Sequence, residues 1–136
     1  LPTAYRRQRQ MCIRDRETAA LKASIVLSRE DIEDTLRKYE DFLYKNDTES
    51  IADRTLHRPA LADENCTDPD ISSFHFLAST SRRFVPRLND RLSRNLSIQQ
   101  LESLLKLTDV RALELKEAWL QARQSAQRLG KNYQAS

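Results

Sequence analysis

Arg83, Arg87, Arg91 and Arg94 recur at offsets of 4, 4 and 3 residues. On a continuous helix that spacing sets four guanidinium groups in one row, with Arg82 beside it. A guanidinium is permanently charged and grips phosphate or carboxylate oxygens in pairs, so the chemistry open to such a row is anion binding. The plainer reading is a solvated or salt-bridged face, and Pro86 stands inside the row. His57, Cys66 and His75 are metal-capable types, with Asp63, Glu64, Asp68 and Asp70 close by. Their offsets of nine and nine match no zinc pattern, and neither CxxC nor HxxxH occurs. Asp63, Asn65 and Thr67 alternate like the start of a calcium loop, but Asp68 stands at its glycine position and Phe74 at its closing glutamate. The expectation is therefore no metal and no cofactor, with His75 at the edge of a core between Phe74 and Phe76. A phosphate-binding glycine loop, a nucleophile elbow and paired carboxylates in a recognisable frame are all missing, so the chain is expected not to be an enzyme.

Residues 6–15 spell RRQRQMCIRD. Read as CGT CGG CAG CGT CAG ATG TGT ATA AGA GAC, followed by AG, the segment resembles a transposase-type sequencing adapter through its mosaic end. The two leftover bases are compatible with Arg16. On this reading residues 1–16 are non-native and disordered, and they are set aside as processing scars are. Residues 17–136 are then a single helical domain. Because Met11 is the sole methionine, that domain is expected to be the C-terminal part of a longer protein. The alternative is a basic arm that binds nucleic acid.

Setting the leader aside changes the charge argument. The whole chain carries 23 basic and 20 acidic residues, net +3. Residues 1–16 contribute five arginines against Asp15, so residues 17–136 are net −1. The basic balance that would favour nucleic acid or an anionic membrane belongs to the leader. Within the remainder, residues 17–70 are net −7 and residues 71–136 are net +6, so the two halves could pack on one another or associate head to tail. Cys66 stands alone once Cys12 is removed, which fits a reducing, cytoplasmic setting. No run approaches the ~18 apolar residues of a membrane span.

The elements that would position these residues are helical: one glycine, few aromatics and 32% charged residues argue against a sandwich or barrel. Residues 17–27 suggest a short helix. Ser28 with Asp31 at the capping-box offset opens a second, over 28–45, with Ile32, Leu36, Tyr39 and Leu43 on its apolar side. A short helix is predicted over 48–56 and a loop over 57–69. Asp68-Pro69 is a good helix start, leading to a helix that reaches about residue 81. Pro86 separates it from another over about 85–94.

The clearest signal lies in residues 97–129. Leu101, Leu105, Thr108, Ala112, Leu115, Trp119, Ala122, Ala126 and Leu129 alternate at offsets of 4 and 3, a coiled-coil-like heptad seam. Ser97 and Gln100 are spaced as a capping box, and Gly130, the sole glycine, sits where a left-handed cap is wanted. Thr108-Asp109 favours a break into helices 97–107 and 109–129. Residues 96–119 are similar to helix-turn-helix DNA-binding segments through Ser97, Ile98, Leu101, Leu104, Leu105, Leu107 and Thr108. Glu102 and Lys106 depart from that family's small residue and turn glycine. The resemblance would make Arg111, Lys116 and Arg123 phosphate contacts.

Together these features predict an all-α bundle of four to six helices, ending in a helical hairpin or a long heptad-patterned helix. The expected function is a protein–protein interaction or assembly module. It would meet a protein partner, or a second copy, through Leu105, Ala112, Leu115, Trp119, Ala122, Ala126 and Leu129. The alternative is nucleic-acid or phosphate binding through Arg83, Arg87, Arg91 and Arg94.

Overall fold

A computed structural model describes the backbone of residues 2–134 and the side chains from residue 13. Among the described residues there are five α-helices and no strand. They are α1 (Pro2–Tyr44), α2 (Thr48–Ala52), α3 (Pro59–Ala62), α4 (Pro69–Leu92) and α5 (Ile98–Leu129). A π-helical turn, Asp53–His57, joins α2 to α3, and a 3₁₀ turn, Gly130–Asn132, follows α5. The small all-α bundle with a long C-terminal helix is thus observed.

α1, α4 and α5 form an up-down-up bundle in which α1 and α5 are parallel. The contacts define the levels. At the end nearer the α4–α5 turn, Ile25, Leu88, Leu101 and Leu104 form one buried cluster. Toward the other end Ile32, Tyr39, Phe42, Ile71, Phe74, Leu115 and Trp119 form a larger one, roofed by Ala60 and Leu61 of α3. Tyr39 is its hub: its ring meets Phe74 edge-on at 4.9 Å and Trp119 at 5.9 Å.

Several boundaries differ from those predicted. Ser28 does not start a helix, because Leu21, Ile25, Ile32 and Tyr39 continue one inward stripe straight through it. Its hydroxyl instead donates to Asp109 Oδ1 on α5. Pro86 does not end a helix either. It lies exposed on the outer side of α4, while Ser81 and Leu88 are buried on either side of it and hold both turns in place. Thr108 is no N-cap: it is fully buried, and its hydroxyl donates to the Leu104 carbonyl at 2.7 Å, one helical turn back. α5 is therefore one helix, and the predicted hairpin and helix-turn-helix are both absent from it. The capping signals at Asp68, Ser97 and Gly130 agree with the structure. Asp68 accepts from the Asp70 and Ile71 amides, Ser97 and Gln100 close a reciprocal capping box, and Gly130 has φ +67°.

Of the 1–16 segment, Leu1 lies outside the described residues. The backbone of α1 is helical from Pro2. The segment's Arg, Gln and Met are good helix formers, and its interior holds no proline or glycine. Ile13, Arg14, Asp15, Arg16 and Glu17 are all exposed. Contact with the bundle core begins at Leu21.

Candidate interaction surface

The predicted interaction seam is the core of the domain. Ala112, Leu115, Trp119, Ala122 and Ala126 are buried, Leu105 is half-buried and only Leu129 is exposed. A heptad repeat drifts by about 20° per seven residues on a straight 3.6-residue helix. The seam consequently crosses the core obliquely, and its two ends, Leu105 and Leu129, rotate toward the margins. Leu104 and Ser125 complete the buried face in their place. Ser125 donates to Asp70 at 2.6 Å, which ties the last turns of α5 to the start of α4. Both residues are invisible to a strict heptad reading: one is off register and the other is polar.

The arginine row is partly assembled. Arg83, Arg87 and Arg91 are exposed along the outer side of α4, and among the described residues no salt bridge engages them. Arg94 lies past the helix end and pairs with Asp90 at 2.8 Å. Arg82 leans over the Tyr39 ring at 5.7 Å. Of the phosphate contacts suggested by the helix-turn-helix resemblance, Arg123 is held by Asp53 at 3.1 Å and stacks on Trp119, and Arg111 stacks on Phe84. Both are half-buried, whereas Lys116 is exposed.

The charge asymmetry between the halves is used sparingly. Asp53 receives both Arg58 (2.5 Å) and Arg123 (3.1 Å), and Arg58 also donates to the Arg123 carbonyl and to Gln127. This half-buried network clamps the π turn to α5. Asp70 and Arg128 make the second pair across the halves, at 3.8 Å.

The metal-capable residues do not converge as a ligand set: among the described residues no three His, Cys, Asp or Glu side chains could share an ion. His57 is exposed beside α2, whereas Cys66 is buried. His75 is a core-edge histidine, its Nε2–H donating to the Leu61 carbonyl at 2.9 Å. Its Nδ1 is buried without a partner. Over Cys66, the Tyr133 hydroxyl donates to Asp63 Oδ2 at 2.6 Å and fastens the C-terminal segment to the loop before α4. That hydrogen bond lowers the Asp63 carboxyl below the usual range and raises the Tyr133 phenol.

A surface that the sequence did not single out lies between the parallel helices α1 and α5. A groove of about 320 Å³ opens there. Thr35, Ala112 and the edge of Trp119 form its floor. Asp31 and Asp34 on α1 and Asp109 on α5 occupy one end, while Lys38 and Lys116 lie toward the other. Leu113 and Leu120 make an apolar wall. Outside the groove lining, Leu27 on α1 and Val110 on α5 are also exposed. These four side chains are between 47% and 63% exposed. The sequence signal was present as Val110, Leu113 and Leu120 at offsets of 3 and 7, but the stronger heptad seam on the same helix masked it.

No helix among the described residues is long and apolar enough to cross a membrane. No protein-family model, curated protein or solved structure matches the chain.

Proposed function

We propose that the protein is a non-catalytic helical interaction module whose binding surface is the α1–α5 groove. The observation that carries this reading is the pair of large apolar side chains, Leu113 and Leu120, left open to solvent along a groove with charged ends. The folded core already uses Trp119 and the heptad seam, so binding falls to the next strip of α5. An amphipathic helix suits such a site, placing apolar side chains against Leu113 and Leu120 and polar ones toward the charged ends.

Selection of helical peptides against the folded protein tests this reading. Leu113→Asp with Leu120→Asp is expected to abolish capture while leaving the helical circular dichroism unchanged. Capture that survives this pair of substitutions excludes the groove.

A second reading, anion binding along α4, is favoured by the exposure of Arg83, Arg87 and Arg91 in one row without ion pairs among the described residues. It expects oligonucleotide binding that weakens steeply with salt and further with Arg87→Ala and Arg91→Ala. Absence of binding at low salt excludes it.

A further inference from the structure

We infer that the occupant of the α1–α5 groove is the same groove of a second copy, set antiparallel about a two-fold axis. The inference rests on reading that groove as the binding surface.

A two-fold interface must be self-complementary, because each residue meets its counterpart across the axis. Each wall of the groove carries one acid–base pair with the same offset, while Asp34, beside the axis, is balanced within its own chain by Arg37 at 3.5 Å and Lys38 at 3.4 Å. On α1, Asp31 precedes Lys38 by seven residues, and on α5, Asp109 precedes Lys116 by seven. The helices run parallel, and the Ser28–Asp109 hydrogen bond sets Asp109 level with Ser28, a little under one turn before Asp31. Asp31 and Asp109 therefore lie within a turn of each other toward one end of the groove, and Lys38 and Lys116 lie likewise staggered toward the other. The ends lie about 10 Å apart, two helical turns. A two-fold axis crossing the groove obliquely, past Thr35 on α1 and Ala112 on α5, exchanges the ends. Each Asp31 then faces the second copy's Lys38, and each Asp109 faces the second copy's Lys116. Leu113 lies beside the axis, where it and its counterpart exclude water.

The existing partners of these groups leave them available. Lys38 reaches Asp34 at 3.4 Å in an exposed pair, the kind that contributes little, and no salt bridge engages Lys116 among the described residues. Apolar contact supplies the attraction, and the four ion pairs fix direction and register.

Sedimentation equilibrium of the full chain, with Asp109→Lys and Lys116→Asp measured separately and mixed, decides the matter. The unaltered chain is expected to dimerise at roughly 100 μM, and each variant to associate at least about tenfold more weakly, since each places like charges opposite one another twice. The equimolar mixture is expected to regain the original association. In that heterodimer the introduced lysine of one chain meets the introduced aspartate of the other, and the unaltered Asp109 meets the unaltered Lys116. Glu114→Lys mixed with Lys131→Asp, which makes the same charge changes outside the groove, is expected neither to weaken nor to rescue.

A monomeric unaltered chain, a dimer indifferent to either variant, or a mixture that fails to recover overturns the proposal. If the chain is monomeric while selected peptides still need Leu113 and Leu120, only the second copy is wrong. If peptide capture is also indifferent to those leucines, the binding surface itself is misassigned.

Discussion

Tyr39 and Tyr133 have phenols displaced in the same direction for different reasons. Burial pushes Tyr39 up to about 12, its ring enclosed by Phe42, Phe74 and Trp119. A group with a raised folded value contributes stability that is whole below its unfolded value near 10 and is lost as pH climbs through the folded one. The domain should therefore lose on the order of 2–3 kcal/mol between about pH 10 and 12 from Tyr39 alone. Tyr39→Phe should flatten that part of the melting-temperature profile. Asp63 behaves oppositely. The hydrogen bond from Tyr133 depresses its carboxyl, so its contribution is whole above about pH 4 and fades as pH falls through the depressed value. Carboxypeptidase should digest the last residues faster in strong acid than at neutral pH, and Tyr133→Phe should show the fast rate throughout. Trp119 carries the largest expected truncation effect. Trp119→Ala should cost about 3–5 kcal/mol, a large share of the ~5–15 kcal/mol total of a domain. Chemical denaturation should read this as loss of folding, since the side chain belongs to the core.

At the scale of elements, Pro86 gives the sharpest expectation. It removes one amide from the ladder of α4 while sitting on the solvent side, so Pro86→Ala should stabilise the domain by about 1–3 kcal/mol in denaturant titration. That a helix spans Pro86 at all shows what was legible in the sequence and what was not. The helical class, the N-caps at Asp68 and Ser97 and the stop at Gly130 are local, set by one or two side chains bonding nearby amides or by one backbone angle. Those could be read directly. The continuity of α1 through Ser28, of α4 through Pro86 and of α5 through Thr108 is decided by burial on both sides of a locally unfavourable residue. Only the packed bundle supplies that burial. The α1–α5 groove was hidden for a related reason. One helix bears two apolar strips, and periodicity alone cannot say which of them faces inward. Leu115 and Trp119 prove to be core, and Leu113 and Leu120 are left outside.

For the whole molecule, the described side chains of α1 before Leu21 stand outside the two core clusters. Ile13 through Glu17 are exposed and core contact starts at Leu21, so removing residues 1–16 should change the unfolding free energy by less than about 0.5 kcal/mol. A larger change would mean that the segment is part of the domain. The order of the chain adds a kinetic consequence. α4 and α5 are joined by residues 93–97, whereas α1 reaches α4 only after the excursion through residues 45–68. Short loops close at lower entropic cost, so the α4–α5 pair forms first, with Leu88 meeting Leu101 and Leu104. α1 is then the latecomer to the bundle and the first to peel away when it opens. It also forms one wall of the groove, so the groove should exist only in molecules that have completed their final folding step.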